Sequence, residues 1–457
     1  MLANPAYFRF ARSTRLQPRL PFIWLTSFAT VLSGVFERPD SSVSGAVDSA
    51  GSHLPLASNR TGPYVVSERI LPMDALNLPR PAWMSEDLVL LEEQARRFIA
   101  DEFVPNLDRW HEAHIYDRDV WTKAGEAGLL CASMPEEYGG ADGTFAHEAV
   151  INRELVLAGF DTFGAPLHSG IVAPYILHYG TEDQKKRWLP KLATGELVGA
   201  IAMTEPGTGS DLQGVRASAK KSGNGYVLNG SKTFITNGQH ANLIIVVAKT
   251  DPKAGAKGTS LFVVETDDAQ GFRRGRKLKK LGMDSADTSE LFFEDVQLPA
   301  SSLLGTAEGQ GFYQLMKELP QERLIVAIHA VAMMERALAH TIDYVKQRKA
   351  FGQAIIEFQN TQFELAECKT EATIAKVFLN HCIERHVKGE LDTVTASMAK
   401  YRLTDTQGKV IDRCLQLFGG YGYMDEYPIS RMYRDARVLR IYAGTNEIMK
   451  LLIARSL

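Results

Sequence analysis

Residues 318–359, ELPQERLIVAIHAVAMMERALAHTIDYVKQRKAFGQAIIEFQ, constrain the fold of this chain more than any other stretch. From Leu324 onward, Leu324, Ile328, Val331, Met334, Leu338, Ile342 and Val345 recur at helical spacing. Between Leu324 and Met334 the remaining faces are mostly Ala, Val and Met, so this part of the helix is expected to be buried almost all round. Glu322 and Arg323 sit just ahead of it, close behind Pro320, which is able to bend the helix. A buried carboxylate is costly unless it is paired or takes up a proton. Two readings are open at this point: a Glu–Arg pair that reaches solvent, or a catalytic base at a dry pocket.

A length of 457 residues implies two or three domains. The 45% apolar and 23% charged composition is that of a globular protein, with no stable membrane span expected. A net charge of −3 gives no electrostatic footprint for nucleic acid. The one dense basic run, FRRGRKLKK at 272–280, reads as a solvated strand or loop face, with an anion site as the alternative. Cys131, Cys368, Cys382 and Cys414 form no CxxC pair, and buried free thiols are the simplest expectation.

Residues 1–83 are expected to be a poorly ordered extension. Arg9, Arg12, Arg15 and Arg19 without an acid before the uncharged run 20–36 suit a transit peptide or signal-like segment. Residues 38–83 read as a Pro/Ser/Gly-rich linker, and Met73 and Met84 leave an over-extended reading frame as a third possibility. Ser85 is placed as an N-cap before Glu86 and Asp87. Helices are expected around residues 120–127, 145–158 and 181–192, making 84–199 a helical domain. The period then becomes extended: strands at 243–247, 260–264 and 290–293, with hairpin dipeptides at Asn224-Gly225 and Asn229-Gly230, give a β domain over 200–303. Residues 304–457 turn helical again, with long segments at 309–346, 357–387 and 391–418. The fold class is α+β: a helical domain, a β-barrel-like domain and a four-helix-bundle domain.

Two short motifs carry chemistry. AMTEPGTGSD (202–211) is a tight loop whose backbone N–H groups are free to approach a ligand, with the hydroxyls of Thr204, Thr208 and Ser210. It lacks a P-loop lysine and GxGxxG spacing. NGSKTFITNG (229–238) sets Phe234 beside Thr236, which suits a flat heteroaromatic cofactor and equally a strand with a buried Phe.

Together these motifs resemble the flavin-binding elements of the acyl-CoA dehydrogenase family. LGMDSADTSELFFEDVQLP (281–299), RKAFGQAIIEFQ (348–359), QLFGGYGYMDEYPISRMYRDAR (416–437) and IYAGTNEIM (441–449) follow in the family's order over residues 84–457. The resemblance implies FAD between the β domain and the C-terminal helices. Met203, Thr204, Gly209 and Ser210 would line the flavin and thioester, and Phe234, Ile235 and Thr236 would pack on the isoalloxazine. Many members have Trp at the position of Phe234. Arg348, Phe351, Gln359, Gln416, Gly419 and Gly420 would hold the ADP part across a subunit interface, and Thr445, Asn446 and Glu447 would lie near the other end. Ser210, Tyr313, Arg323, Ala443 and Gly444 would contact substrate.

The implied reaction is α,β-desaturation of an acyl-CoA, which needs a carboxylate base in a dry pocket. Many members carry that base in a YEGT loop, where this chain reads Tyr442-Ala443-Gly444-Thr445. The long-chain group carries it on the helix, in an LPQER-like sequence, and this chain reads Leu319-Pro320-Gln321-Glu322-Arg323. Glu322 is therefore the expected base. The long-chain group implies a homotetramer acting on a medium-, long- or branched-chain acyl-CoA and handing electrons to an electron-transferring flavoprotein. It would work in a bacterial cytoplasm, or in the mitochondrial matrix if residues 1–83 are a transit peptide. A flavin monooxygenase or oxidase on the same fold, and a non-catalytic flavoprotein assembly factor, are the alternatives.

Overall fold

The computed structural model describes residues 75–457, so the expectations for the first 74 residues lie outside the described part. The N-terminal helices are α1 (Glu86–Phe98), α2 (Leu107–Ala113), α3 (Asp119–Glu126), α4 (Phe145–Ala158), the single turn α5 (Ala165–Leu167), α6 (Ala173–Tyr179) and α7 (Glu182–Ala193). Capping boxes fix two of the starts. Thr144 accepts from Ala146 N at 3.2 Å while its own N–H donates to His147, and Thr181 and Gln184 exchange the same pair of bonds. Ser85 occupies the N-cap position of α1 but its side chain makes no cap bond; it bonds the Asp87 carboxylate and holds that group below its ordinary pKa. Phe103 anchors the local core, edge-on to Trp110, Phe160 and Phe163 at 5.0–5.3 Å.

Seven strands follow: β1 (Gly199–Ala202), β2 (Ser218–Ser222), β3 (Gly225–Thr236), β4 (Leu243–Lys249), β5 (Thr259–Glu265), β6 (Phe272–Lys277) and β7 (Thr288–Pro299). They form one curled sheet in the order β1-β4-β2-β3-β7-β6, with β5 added to β4. The β2–β3 hairpin closes Ser222 on Gly225, so its two turn residues are Gly223 and Asn224, one position earlier than the sequence suggests. Asn229-Gly230 is not a turn. It lies inside β3 at a register shift against β7, where Gly230 has φ +151° and a Cβ would sit 2.6 Å from that of Ala217. The basic run forms β6 and the loop after it, and its side chains largely satisfy carbonyls: Arg274 bonds Ala241 O, Lys277 bonds Ala113 O and His114 O, and Lys280 bonds Ala286 O.

The C-terminal part contains α8 (Gly311–Gln347), α9 (Gln359–Val387), α10 (Thr393–Leu417), α11 (Pro428–Asp435) and α12 (Asn446–Ala454). The three long helices pack mutually and the two short ones close the bundle against α10. Helix α8 runs unbroken through Pro320. It is long and apolar enough to cross a membrane, yet 78% of its most apolar stretch is buried within the protein. A buried charge network fastens the N-terminal helices to this bundle. Arg153 on α4 bridges Glu92, Glu154 and Glu335, and Lys376 on α9 completes the pairing of Glu335 at 2.8 Å. The four cysteines are buried and free.

Candidate active site

Glu322 and Arg323 are both buried, at 5% and 3% exposure, which removes the solvent-reaching pair as an explanation. No ion pair joins them among the described residues. They point to different neighbours: Glu322 Oε1 accepts from the Tyr175 hydroxyl of α6 at 2.9 Å, and Arg323 Nη1 donates to Ser397 Oγ of α10 at 3.3 Å. Arg323 Nε is buried and has no partner among the described residues.

One helical turn before Glu322, the Glu318 carboxylate repeats the arrangement. Its Oε1 accepts from the Tyr179 hydroxyl at 2.6 Å and lies 3.0 Å from His178 Nδ1. Tyr175 and Tyr179 are four apart on α6, and Glu318 and Glu322 four apart on α8, so the two helices meet through two Tyr–Glu rungs. The rungs titrate differently. Burial pushes Glu322 up to about 7; the Tyr175 hydrogen bond and Arg323 oppose this, and the Glu318 charge adds to it. Burial also raises Glu318, but His178, Tyr179 and Lys317 outweigh it and hold that group below its ordinary value.

The loop carrying Ala443 is pinned from α10. Lys400 Nζ donates to Gly444 O at 2.7 Å and to Asn446 Oδ1 at 2.9 Å. Burial, and secondarily Arg323, lower Lys400 to about 7. Asn446 is buried, and its amide also donates to Tyr401 O, Thr404 Oγ1 and Asp405 Oδ1. Thr445 Oγ1 caps α12, Glu447 is exposed in its first turn, and Ala443 has φ +52°.

The two short motifs lie side by side. Buried Lys232 of β3 donates to Met203 O at 3.0 Å, and Thr233 N donates to Thr204 O at 3.0 Å. Glu205, bonded by Lys232 at 2.9 Å and by the backbone N–H groups of Arg216 and Ala217, closes the loop from below. Above it Gly209 and Ser210 are exposed, and a Cβ on Gly207 or Gly209 would meet nothing within 4 Å. Phe234 stands at a break in the β3 register with φ +60° and a ring 67% exposed, Ile235 is buried, and Thr236 is half-buried. An aromatic held in the left-handed region costs about 1–2 kcal/mol, and exposing its ring adds to that. This fits a residue kept to stack on a flat ligand beside open backbone, and does not fit the strand with a buried Phe.

The remaining residues except Tyr313 lie around the far end of α8. The Arg348 guanidinium lies 5.6 Å from the Tyr421 ring, next to exposed Gly419 and Gly420, with exposed Gln416 one turn earlier. Phe351 tips the small hairpin Lys349–Ala354 at φ +53° and 97% exposure, and Gln359 is exposed at the start of α9. Tyr313 is exposed near the start of α8. Sequence reasoning missed Tyr175, Tyr179, Glu318, Ser397, Lys400 and Lys232. The only local trace of the first three is the matching four-residue spacing of the Tyr and Glu pairs.

Comparison with known proteins agrees with this architecture. The family descriptions for the acyl-CoA dehydrogenase N-terminal, middle and C-terminal domains match residues 85–196, 200–296 and 309–457. The chain belongs to the acyl-CoA dehydrogenase family. It is 50% identical over 370 residues to the mitochondrial long-chain specific acyl-CoA dehydrogenase of Mus musculus, spanning 80% of this chain and 86% of that protein. The crystal structure of an acyl-CoA dehydrogenase from Geobacillus kaustophilus is 49% identical and superposes with a TM-score of 0.80, covering 82% of this chain and 99% of that one. A glutaryl-CoA dehydrogenase from Mycobacterium smegmatis in complex with FADH2 is 28% identical with a TM-score of 0.76, covering 81% and 94%. This chain is an FAD-dependent acyl-CoA dehydrogenase.

Proposed function

We propose that this enzyme desaturates a long-chain acyl-CoA to the trans-2-enoyl-CoA in fatty-acid β-oxidation, with Glu322 as the base that removes the α-proton. One observation carries this reading. Glu322 is a buried carboxylate with its pKa pushed up to about 7, in a chain whose loop position 443 is an alanine that cannot accept a proton. The similarity to the mouse long-chain enzyme supports the substrate class. A helix-borne base together with small residues at 443 and 444 would also leave room for branched chains.

Bound FAD supplies the acceptor for the β-hydrogen. Met203, Thr204, Gly209, Ser210 and Phe234–Thr236 are the residues that would hold its flavin end, with Thr445–Glu447 nearby. The Ala443 N–H, with Gly444, Ser210, Arg323 and Tyr313, would serve the thioester and the rest of the substrate. Arg348, Phe351, Gln359, Gln416, Gly419 and Gly420 would reach the ADP part of a neighbouring subunit's FAD in a homotetramer. Arg348→Ala should then lose FAD and shift toward smaller species together. An electron-transferring flavoprotein is the proposed acceptor. Import of the full chain into isolated mitochondria tests whether residues 1–83 act as a transit peptide.

Anaerobic mixing with acyl-CoAs of graded length and branching tests the function. Flavin bleaching should be fastest with long chains, and the reduced enzyme should pass its electrons to an electron-transferring flavoprotein. Bleaching with none of them, or rapid reoxidation by oxygen with hydroxylated product, would contradict the reading.

A further inference from the structure

The role of the Tyr175 hydroxyl follows from the two oxygens of Glu322. Tyr175 occupies Oε1 at 2.9 Å, whereas Oε2 accepts no hydrogen bond from any described residue. Tyr175 is itself fully buried, and its ring packs near that of Tyr179, with centroids 6.1 Å apart. Its donor therefore has fixed surroundings and no competing acceptor in solvent.

We propose that Tyr175 is a positioning residue that immobilises Oε1 of Glu322 and so leaves Oε2 as the oxygen that takes the substrate's α-proton. The inference rests on Glu322 being the base. The electron pair of the broken Cα–H bond forms the Cα=Cβ double bond as the β-hydrogen departs with its pair, for which bound FAD would be the acceptor, and the α-proton ends on Oε2. The Tyr175 hydroxyl keeps its proton throughout, because burial and the adjacent carboxylate raise its pKa well above the ordinary value. It continues to donate to Oε1 after Glu322 is protonated, so the carboxyl does not need to rotate during the transfer.

The second rung isolates the first. Glu318 is tied to Tyr179 and His178, so it remains charged and its proton affinity does not compete with that of Glu322. The charged and titratable groups around Glu322 are Glu318 and Arg323 on its own helix and Tyr175, His178 and Tyr179 on α6; on α9, His386 bonds the neighbouring Gln321 and feels the Glu318 charge, and on α10 Lys400 feels the charge of Arg323. Of these, only Tyr175 bonds the base directly. The hydrogen bond lowers the proton affinity of the base whatever its role, so a tie serving only to dock α6 on α8 would shift the ionisation if lost but leave the rate on the pH plateau where it was.

Tyr175→Phe separates these roles. A hydrogen bond to a charged group corresponds to about 1–2 pKa units, and this one favours the ionised carboxylate. Its loss should move the acid limb of the flavin-reduction rate upward by about that much and also lower the plateau rate, with FAD content and affinity for a non-reactive acyl-CoA thioether unchanged. Replacing Tyr175 with 3,5-difluorotyrosine, a stronger donor of nearly the same shape, should move the limb downward. The inference is overturned if neither substitution moves the limb, or if Tyr175→Phe keeps the parent's plateau rate. Glu322→Gln, measured alongside, keeps the two claims apart. If it retains near-normal reduction the base assignment itself fails, whereas an inactive Glu322→Gln with an unmoved Tyr175→Phe limb removes only the role of Tyr175.

Discussion

Lys400 reaches from the N-terminal third of α10 to the carbonyl oxygen of Gly444 at 2.7 Å, so a buried amine on the bundle sets the loop that carries Ala443. Lys400→Met keeps the length, leaves Gly444 O without its donor and leaves Asn446 Oδ1 with only the long bond from Thr404 Oγ1 at 3.4 Å. Unsatisfied buried acceptors cost about 1–3 kcal/mol. The variant should unfold earlier in urea and reduce its flavin about tenfold more slowly at saturating acyl-CoA. An unchanged reduction rate would show that the loop holds its geometry without α10.

Ala443 sits at φ +52°, where glycine has no steric penalty. Ala443→Gly should keep its activity and change stability by less than about 1 kcal/mol, since relief of the left-handed backbone and added freedom in the unfolded chain oppose each other. Ala443→Glu in a Glu322→Gln background should restore part of the activity, because both positions are expected to approach the α-carbon. With Glu322 retained, the same change should crowd two carboxylates and raise at least one pKa. Stopped-flow reduction of the four variants decides this; a double variant as inactive as Glu322→Gln would separate the two positions in space.

Lys232 and Glu205 are a buried pair beneath the 203–210 loop, at 2.9 Å. Breaking such a pair by removing one partner costs about 3–5 kcal/mol. Lys232→Met should therefore lower the melting temperature and release FAD, because Met203 O loses its donor at the same time. FAD content by absorbance after gel filtration is the check, and full retention would show that the loop is held by other contacts.

The proposed base is legible in the sequence because LPQER is a local motif, and its environment is not. Nothing near residue 322 indicates that a tyrosine 147 residues earlier bonds it, or that neighbouring Arg323 turns away to Ser397. The long helices were readable from apolar period alone, since α8, α9 and α10 bury continuous stripes. Turn chemistry was less reliable. Asn229-Gly230 has the dipeptide of a hairpin turn, yet pairing with β7 and the close approach of Ala217 place it inside a strand. Ser85 has the side chain of a cap but gives its hydrogen bond to the Asp87 carboxylate, a charged acceptor in the same first turn, instead of accepting one from a helix N–H.

Burial raises Glu322 from 4.5 to about 7, so the folded state binds this proton more tightly than the unfolded chain. The stability associated with that proton is fully present below pH 4.5 and is lost as pH rises through about 7. Glu322→Gln keeps the Tyr175 hydrogen bond and removes the buried charge. Relative to the parent it should gain up to about 3 kcal/mol between pH 4.5 and pH 8. Urea midpoints of the two holoenzymes across that range test this, and a constant difference would show that the carboxylate is not desolvated.

The most direct test of the central claim is stopped-flow anaerobic reduction of Glu322→Gln by a saturating long-chain acyl-CoA. General-base removal is worth ~10²–10⁴-fold. With position 443 an alanine the loss should lie at the upper end of that range, with FAD content unchanged. Reduction within about tenfold of the parent rate would contradict the account and place the base on another residue.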